Sequence, residues 1–169
     1  MKQIIFFITI MTSLISCAVD TSDKETKHLA IAKKYMDAVE NKNIALMDSL
    51  LAENYMGFGP SVGDSVNKKE ALDLFKRNVE TLYESFQYTR HKNLAVTVHT
   101  GETKGDWVLN WAYLTIKYKD GRGPVNLWVN AVYRIEDEKI VHSRTFYNEA
   151  DVLRQLGYTF QPPPDSTIQ

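Results

Sequence analysis

The chain has 169 residues, of which 44% are hydrophobic and 11% aromatic, so it can bury the core of one domain and is too apolar to be disordered by composition. Its 20 Lys and Arg residues against 21 Asp and Glu leave a net charge of -1, which gives no electrostatic footprint for nucleic acid. The single cysteine excludes a disulfide framework and a cysteine-based metal site, and no cofactor motif is present.

In chain order, Met1-Lys2-Gln3 is a short basic start, and Ile4 to Ile15 is an apolar run broken only by Thr9, Thr12 and Ser13. At about 12 residues this run is too short to span a bilayer and fits the apolar region of a signal peptide. It ends in Leu14-Ile15-Ser16-Cys17, which resembles the bacterial lipobox: a branched apolar residue, a tolerant position, a small residue and a cysteine. The resemblance implies a lipoprotein signal peptide over residues 1–16, lipidation of Cys17 after cleavage, and a lipid-anchored place in the bacterial cell envelope. The alternative is an ordinary secretory signal with a chance cysteine. Ala18 stands where an Asp would mark inner-membrane retention, and the sequence does not decide between inner and outer membrane. Residues 17–27, rich in Ser, Thr, Asp and Lys, read as the lipidated cysteine followed by a flexible tether.

The folded part is expected over residues 28–160. A helix from His28 to Val39 carries apolar residues at 29, 32, 36 and 39. Asn43 can cap a second short helix with Ile44, Met47, Leu50 and Leu51 facing inward. Tyr55 to Gly63 reads as a strand entering a loop. Asn67 with Glu70 three residues on resembles a capping box, and Leu72, Phe75, Val79, Leu82 and Phe86 then give a third helix. The period changes to two over about 88–100, 105–119, 124–136 and 139–147, four expected strands. Asp120-Gly121-Arg122-Gly123 is a turn signal, and Glu136-Asp137-Glu138 fits a three-residue hairpin loop. A last helix runs from the N-cap Asn148 to Gly157, and residues 161–169, with three prolines, are expected to be a disordered tail.

The element order is α+β: three helices, a curved antiparallel sheet and a short C-terminal helix, which together make a cone with a pocket inside. This order, with Lys139-Ile140-Val141 after the hairpin and Asp151-Val152-Leu153-Arg154-Gln155-Leu156-Gly157 at the end, resembles the nuclear-transport-factor-2-like superfamily, SnoaL-like domains in particular. That superfamily includes steroid isomerases, polyketide cyclases, epoxide hydrolases and members without chemistry, so the resemblance implies a fold and not an activity. Its epoxide hydrolases hold water with two acids and an arginine; the nearest positions here are Ala112, Leu114 and Thr145. Its steroid isomerases place a base before a proline where Gly59 precedes Pro60, and a second acid near Ala131. None of these five side chains exchanges a proton near neutral pH.

Pairing 105–119 with 124–136 groups Asn110, Ala112, Leu114 and Ile116 with Leu127, Val129, Ala131, Tyr133 and Ile135 on a core and pocket face, joined by Val141, Ser143, Thr145 and Tyr147. Candidate ligand-binding residues are therefore Tyr55 and Phe58 near the mouth, with Asn110, Leu127, Val129, Tyr133, Ser143, Thr145 and Tyr147. The same hydroxyls can instead satisfy local backbone groups in a filled interior. His142 and Arg144 fall on the outer face; His142 becomes a general base only if the register differs. His91 and His99 show no metal-ligand partner set. Trp107, Trp111, Tyr113, Trp128 and Phe146 put more aromatic area on the outer face than water tolerates, which points to a homodimer or a protein partner there, or to cover by the last helix or tail. The functional expectation is a membrane-anchored domain that binds a small apolar ligand or a protein partner without catalysis. The alternatives are an isomerase-, cyclase- or hydrolase-like enzyme using His142 or a pocket tyrosine, and a structural subunit of an envelope assembly.

Overall fold

A computed structural model describes residues 20–161. The signal-peptide and lipidation readings at residues 1–16 and Cys17, and the tail from Pro162 on, lie outside the described residues. Helix α1 spans Asp20–Glu40, α2 Ile44–Leu50, α3 Lys68–Thr81 and α4 Glu149–Gln155. The strands are β1 Leu51–Phe58, β2 Ser65–Asn67, β3 Tyr83–Val98, β4 Gly105–Tyr118, β5 Val125–Glu136 and β6 Lys139–Tyr147. They form one sheet in the order β2-β1-β6-β5-β4-β3, with only β1 and β6 parallel.

Helix α1 is longer than its apolar stripe suggests. It is already helical at Asp20, the first described residue, so much of the expected tether is helical. Lys24 is fixed by an ion pair with Asp106 at 2.8 Å, and Asp106 also accepts a hydrogen bond from Thr97 at 2.7 Å. Composition alone could not supply those partners on β3 and β4. Farther along α1, Ala32, Met36 and Ala38 are buried. Asn43 caps α2 by accepting from the backbone N–H of Leu46, as expected, but α2 stops at Leu50 and β1 starts four residues before Tyr55.

The capping box of α3 is present in both directions: Asn67 accepts from the Glu70 N–H, and Glu70 accepts from the Asn67 N–H. The helix ends at Thr81, before Phe86. Phe86 sits on β3 opposite Ile116 and still reaches the helix, its ring 5.9 Å from that of Phe75. Tertiary packing therefore takes Tyr83 to Phe86 from helix to strand, where Tyr83 and Phe86, with Tyr88 beyond them, cover a buried cluster of Leu114, Ile116, Tyr118, Val125, Leu127 and Val129.

Strands β4 and β5 pair in the expected phase, Asn110 with Ala131, Ala112 with Val129 and Leu114 with Leu127. Alternate residues of β5, from Val125 to Ile135, are all buried. The β5–β6 hairpin differs. Its loop has two residues, Asp137 and Glu138, both at positive φ (48° and 60°), the geometry whose twist matches a hairpin. Ile140 thus faces Ile135 and is fully buried, where Val141 was expected. A register shift follows, and beyond it Ser143, Thr145 and Tyr147 oppose Tyr133, Ala131 and Val129 on the core face. The shorter loop and the bulge offset each other, which is why the faces of these three residues are right although the loop is not.

Helix α4 is capped by Asn148, which accepts from the Asp151 N–H at 3.0 Å, and closes with Gly157 at φ 88°. Its Val152 and Leu156 pack on the cluster under β4 and β5. Gln155 accepts from the Asn126 N–H at 2.9 Å and donates to the Asn126 carbonyl at 2.8 Å, completing the edge of β5 where β6 has ended. Among the described residues no helix is long and apolar enough to cross a membrane.

Candidate functional site: a tyrosine-lined cavity

The concave side of the sheet carries two buried clusters. One, under β4 and β5, is described above; the other joins Ala32, Leu51, Tyr55, Val108, Tyr133 and Ile140. Tyr55, Tyr88 and Tyr133 line a cavity of about 340 Å³. Helix α1 contributes Tyr35, Met36 and Val39 to its wall, β5 Tyr133, and β6 Ser143, Thr145 and Tyr147. The end of β1 and the following loop add Gly57, Gly59 and Pro60.

The polar groups of this wall are hydroxyls. Tyr55 and Ser143 share a buried hydrogen bond of 2.6 Å between β1 and β6. Tyr35 hydrogen-bonds to Tyr55 in turn, so three hydroxyls form a chain from α1 to β6. Gly57 makes the chain possible: a Cβ there would stand 2.5 Å from the Tyr55 hydroxyl oxygen, so only a glycine lets the Tyr55 ring lie across the strand. Burial raises the Tyr35 hydroxyl well above the ordinary tyrosine range, and it raises Tyr133 too; Tyr88 is pushed up to about 12, by burial and then by Glu40. Burial also raises Tyr55, against the opposing hydrogen bonds from Ser143 and Tyr35. These phenols are neutral donors and acceptors at neutral pH, not bases.

The structure sorts the expected site residues. Tyr55, Tyr133, Ser143, Thr145 and Tyr147 border the cavity. Phe58 touches its edge, but its ring lies on the other side of β1, 4.8 Å from the His142 ring and under the Arg144 guanidinium at 4.9 Å. It is not a cover over the mouth, because residue 58 alternates outward from Tyr55 and Gly57. Asn110, Leu127 and Val129 do not reach the cavity. Asn110 is buried and donates to the Asn93 side chain at 2.7 Å, while Leu127 and Val129 are covered by the aromatic start of β3 and by α4. Tyr35 and Tyr88 also line the cavity and are not among the residues expected from the sequence: Tyr35 lies one residue from the apolar stripe of α1, and Tyr88 stands at the start of an expected strand whose faces the period alone does not assign.

His142 lies on the outer face, opposite Arg134, as the face assignment required. Its ring meets Phe58 and Trp107, and burial, then Arg144 and Arg134, hold its pKa below the ordinary value. Of the residues nearest to the acid positions expected from the resemblance, Ala112, Leu114 and Ala131 are buried core residues, whereas Gly59 and Thr145 line the cavity. Among the described residues no group of three or more His, Cys, Asp or Glu side chains is placed to hold a metal ion.

The outer face keeps its aromatic surface open. Trp128 is 58% exposed, Phe146 46% and Trp111 40%. Tyr113 and Trp128 meet edge to face at 5.3 Å, with the Arg90 guanidinium above the Tyr113 ring at 5.2 Å.

A family profile described as a SnoaL-like domain matches residues 32–143. No curated protein matches the sequence. Among solved structures the chain is similar to a Mycobacterium tuberculosis LEH-like epoxide hydrolase, with 16% identity, a TM-score of 0.62, and cover of 79% of this chain and 91% of that one. It is similar to a hypothetical protein with a ketosteroid isomerase-like fold from Catenulispora acidiphila, solved in complex with trimethylamine, with 18% identity, a TM-score of 0.59, and cover of 78% and 97%. A further neighbour is the putative polyketide cyclase IdmH of Streptomyces antibioticus, with 16% identity, a TM-score of 0.60, and cover of 77% and 98%. At these identities the likeness is one of fold.

Proposed function

The chain belongs to the SnoaL-like family, and from that premise we propose that it is a lipid-anchored domain that holds a small, mainly apolar molecule in its cone cavity without transforming it. The observation that carries this reading is the chemistry of the wall: five tyrosines, a serine and a threonine among apolar groups, with no carboxylate, imidazole or ammonium lining the cavity. Such a wall can orient a ligand by hydrogen bonds but has no group that titrates near neutral pH to move a proton. The size suits a compact ligand, and one neighbour of this fold is known in complex with such a molecule, trimethylamine. The enzyme reading would need His142 or a pocket tyrosine as its acid or base; His142 is packed against Phe58 and Trp107 on the opposite face of the sheet, and burial raises the hydroxyls of the cavity tyrosines above their ordinary range.

Mass spectrometry of small molecules that co-purify with the full chain tests this reading. A compound retained by the wild type and lost from a cavity-filling Thr145→Trp variant of unchanged melting temperature is the expected result. An empty wild-type protein, or turnover of the retained compound, would count against it. Anchoring through Cys17 is supported by Leu14-Ile15-Ser16-Cys17. It predicts incorporation of labelled fatty acid that disappears in Cys17→Ala; label persisting in that variant would refute it.

The outer face supports a second part of the reading, association with another copy of the chain or with a protein partner through Trp111, Trp128 and Phe146. Their exposure is more aromatic surface than a monomer normally leaves in water. Light scattering at high protein concentration should show a dimer, and a strictly monomeric protein would sink the self-association form.

A further inference from the structure

We propose that the occupant of the cavity is a small cation with a methylated ammonium head, of the tetraalkylammonium or choline type. This rests on the reading of the cavity as a ligand site and specifies the chemistry of the ligand.

The first observation is the wall. The rings of Tyr35 and Tyr133 stand edge to face, 5.8 Å apart and at 67°, so two of the five cavity tyrosines form an aromatic corner. The face of a phenol ring carries negative electrostatic potential and attracts a cation, most strongly where water is excluded. A methylated ammonium is weakly hydrated and needs no strong acceptor for each N–H bond. A primary ammonium would need three acceptors, and on this wall the Tyr35, Tyr55 and Ser143 hydroxyls are already engaged with one another.

The second observation is the charge around the cavity. Glu40 lies near enough to act on Tyr88, and Glu149 and Asp64 near enough to act on Tyr147. No Lys, Arg or His lines the cavity. Arg134 and Arg144, on the strands that form the wall, belong to the outer face, where Arg134 pairs with Glu136 and Arg144 lies over Phe58. Negative charge near the hollow favours cations over carboxylates and phosphates. The aromatic corner and the acidic surroundings are independent features, and both select positive charge.

The test compares choline with 3,3-dimethyl-1-butanol, its neutral isostere, by calorimetric titration of the full-length protein. Choline should bind about tenfold or more tightly than the isostere. Its affinity should fall with added salt and weaken about threefold in a Glu40→Gln/Glu149→Gln variant, with the isostere unaffected by either change. Equal or tighter binding of the isostere overturns the cation inference and leaves the ligand-site reading standing. Failure of both probes overturns it as well. If the protein also co-purifies with no small molecule, the ligand-site reading falls with it.

Discussion

The two faces of this sheet are built from alternate residues of the same strands, and they behave as different materials. On the inner face Val125, Leu127, Val129, Ala131, Tyr133 and Ile135 follow one another along β5, all buried under α1, α4 and the aromatic start of β3. On the outer face of that same strand Trp128 is 58% exposed, and Arg134 bonds to Glu136 at the rim. The backbone ladder is common to both faces, so the contrast comes from what each row of side chains meets. The inner row secures the fold and leaves one hollow between its two clusters. The outer row adds little to the fold and presents aromatic rings for association.

The largest expected effect cuts across this contrast. Ile135→Ala on the inner face should cost about 2–5 kcal/mol in chemical denaturation, whereas Trp128→Ala should cost about 1 kcal/mol or less and abolish self-association. Equal losses of stability would erase the distinction between the faces. Next comes Gly57→Ala, which should cost about 1–3 kcal/mol. Its added carbon would force the Tyr55 hydroxyl away from Ser143, so the loss should be accompanied by weaker ligand retention. A variant with full stability and full retention would show that the hydroxyl chain does not shape the cavity. Asn67→Ala touches neither face. It removes the capping box of α3 and should cost about 1 kcal/mol, with cavity and association unchanged.

The smallest effect concerns His142, whose pKa is lowered by burial first and then by Arg144 and Arg134. The unfolded chain therefore binds a proton more readily than the folded one, and stability falls as pH drops below the ordinary histidine value of about 6.5. Replacing His142 with Phe keeps a ring between Phe58 and Trp107 and removes this contribution. Denaturation midpoints should then fall less steeply from pH ~7 to ~5 than in the wild type. An unchanged slope would mean that His142 is not held in this way.

Most of the architecture was legible because β4 and β5 alternate so regularly that one phase alone buries the apolar row. The caps at Asn43, Asn67 and Asn148 were legible because they depend on residues three positions apart. What escaped depends on distant partners. The α1 turn at Lys24 is secured by Asp106, roughly 80 residues away, and Tyr83 to Phe86 join the sheet because Ile116 and its neighbours need cover. Asn110, Leu127 and Val129 have the right face and the wrong position along it: a period of two tells inner from outer but not hollow from filled. Tyr35 and Tyr88 were missed because a helix and a strand distant in sequence must meet before either can line a cavity.

The division of labour between the faces is most directly tested by fluorine NMR of the full-length protein labelled at tyrosine and, separately, at tryptophan. All three tryptophans, Trp107, Trp111 and Trp128, lie on the outer face, and five tyrosines line the cavity. Adding the cavity ligand, with choline as the probe, should shift tyrosine signals and leave the tryptophans in place; dilution should shift Trp111 and Trp128 and leave the cavity tyrosines unmoved. Tryptophan signals that respond to the ligand, with cavity tyrosines that do not, would contradict the account.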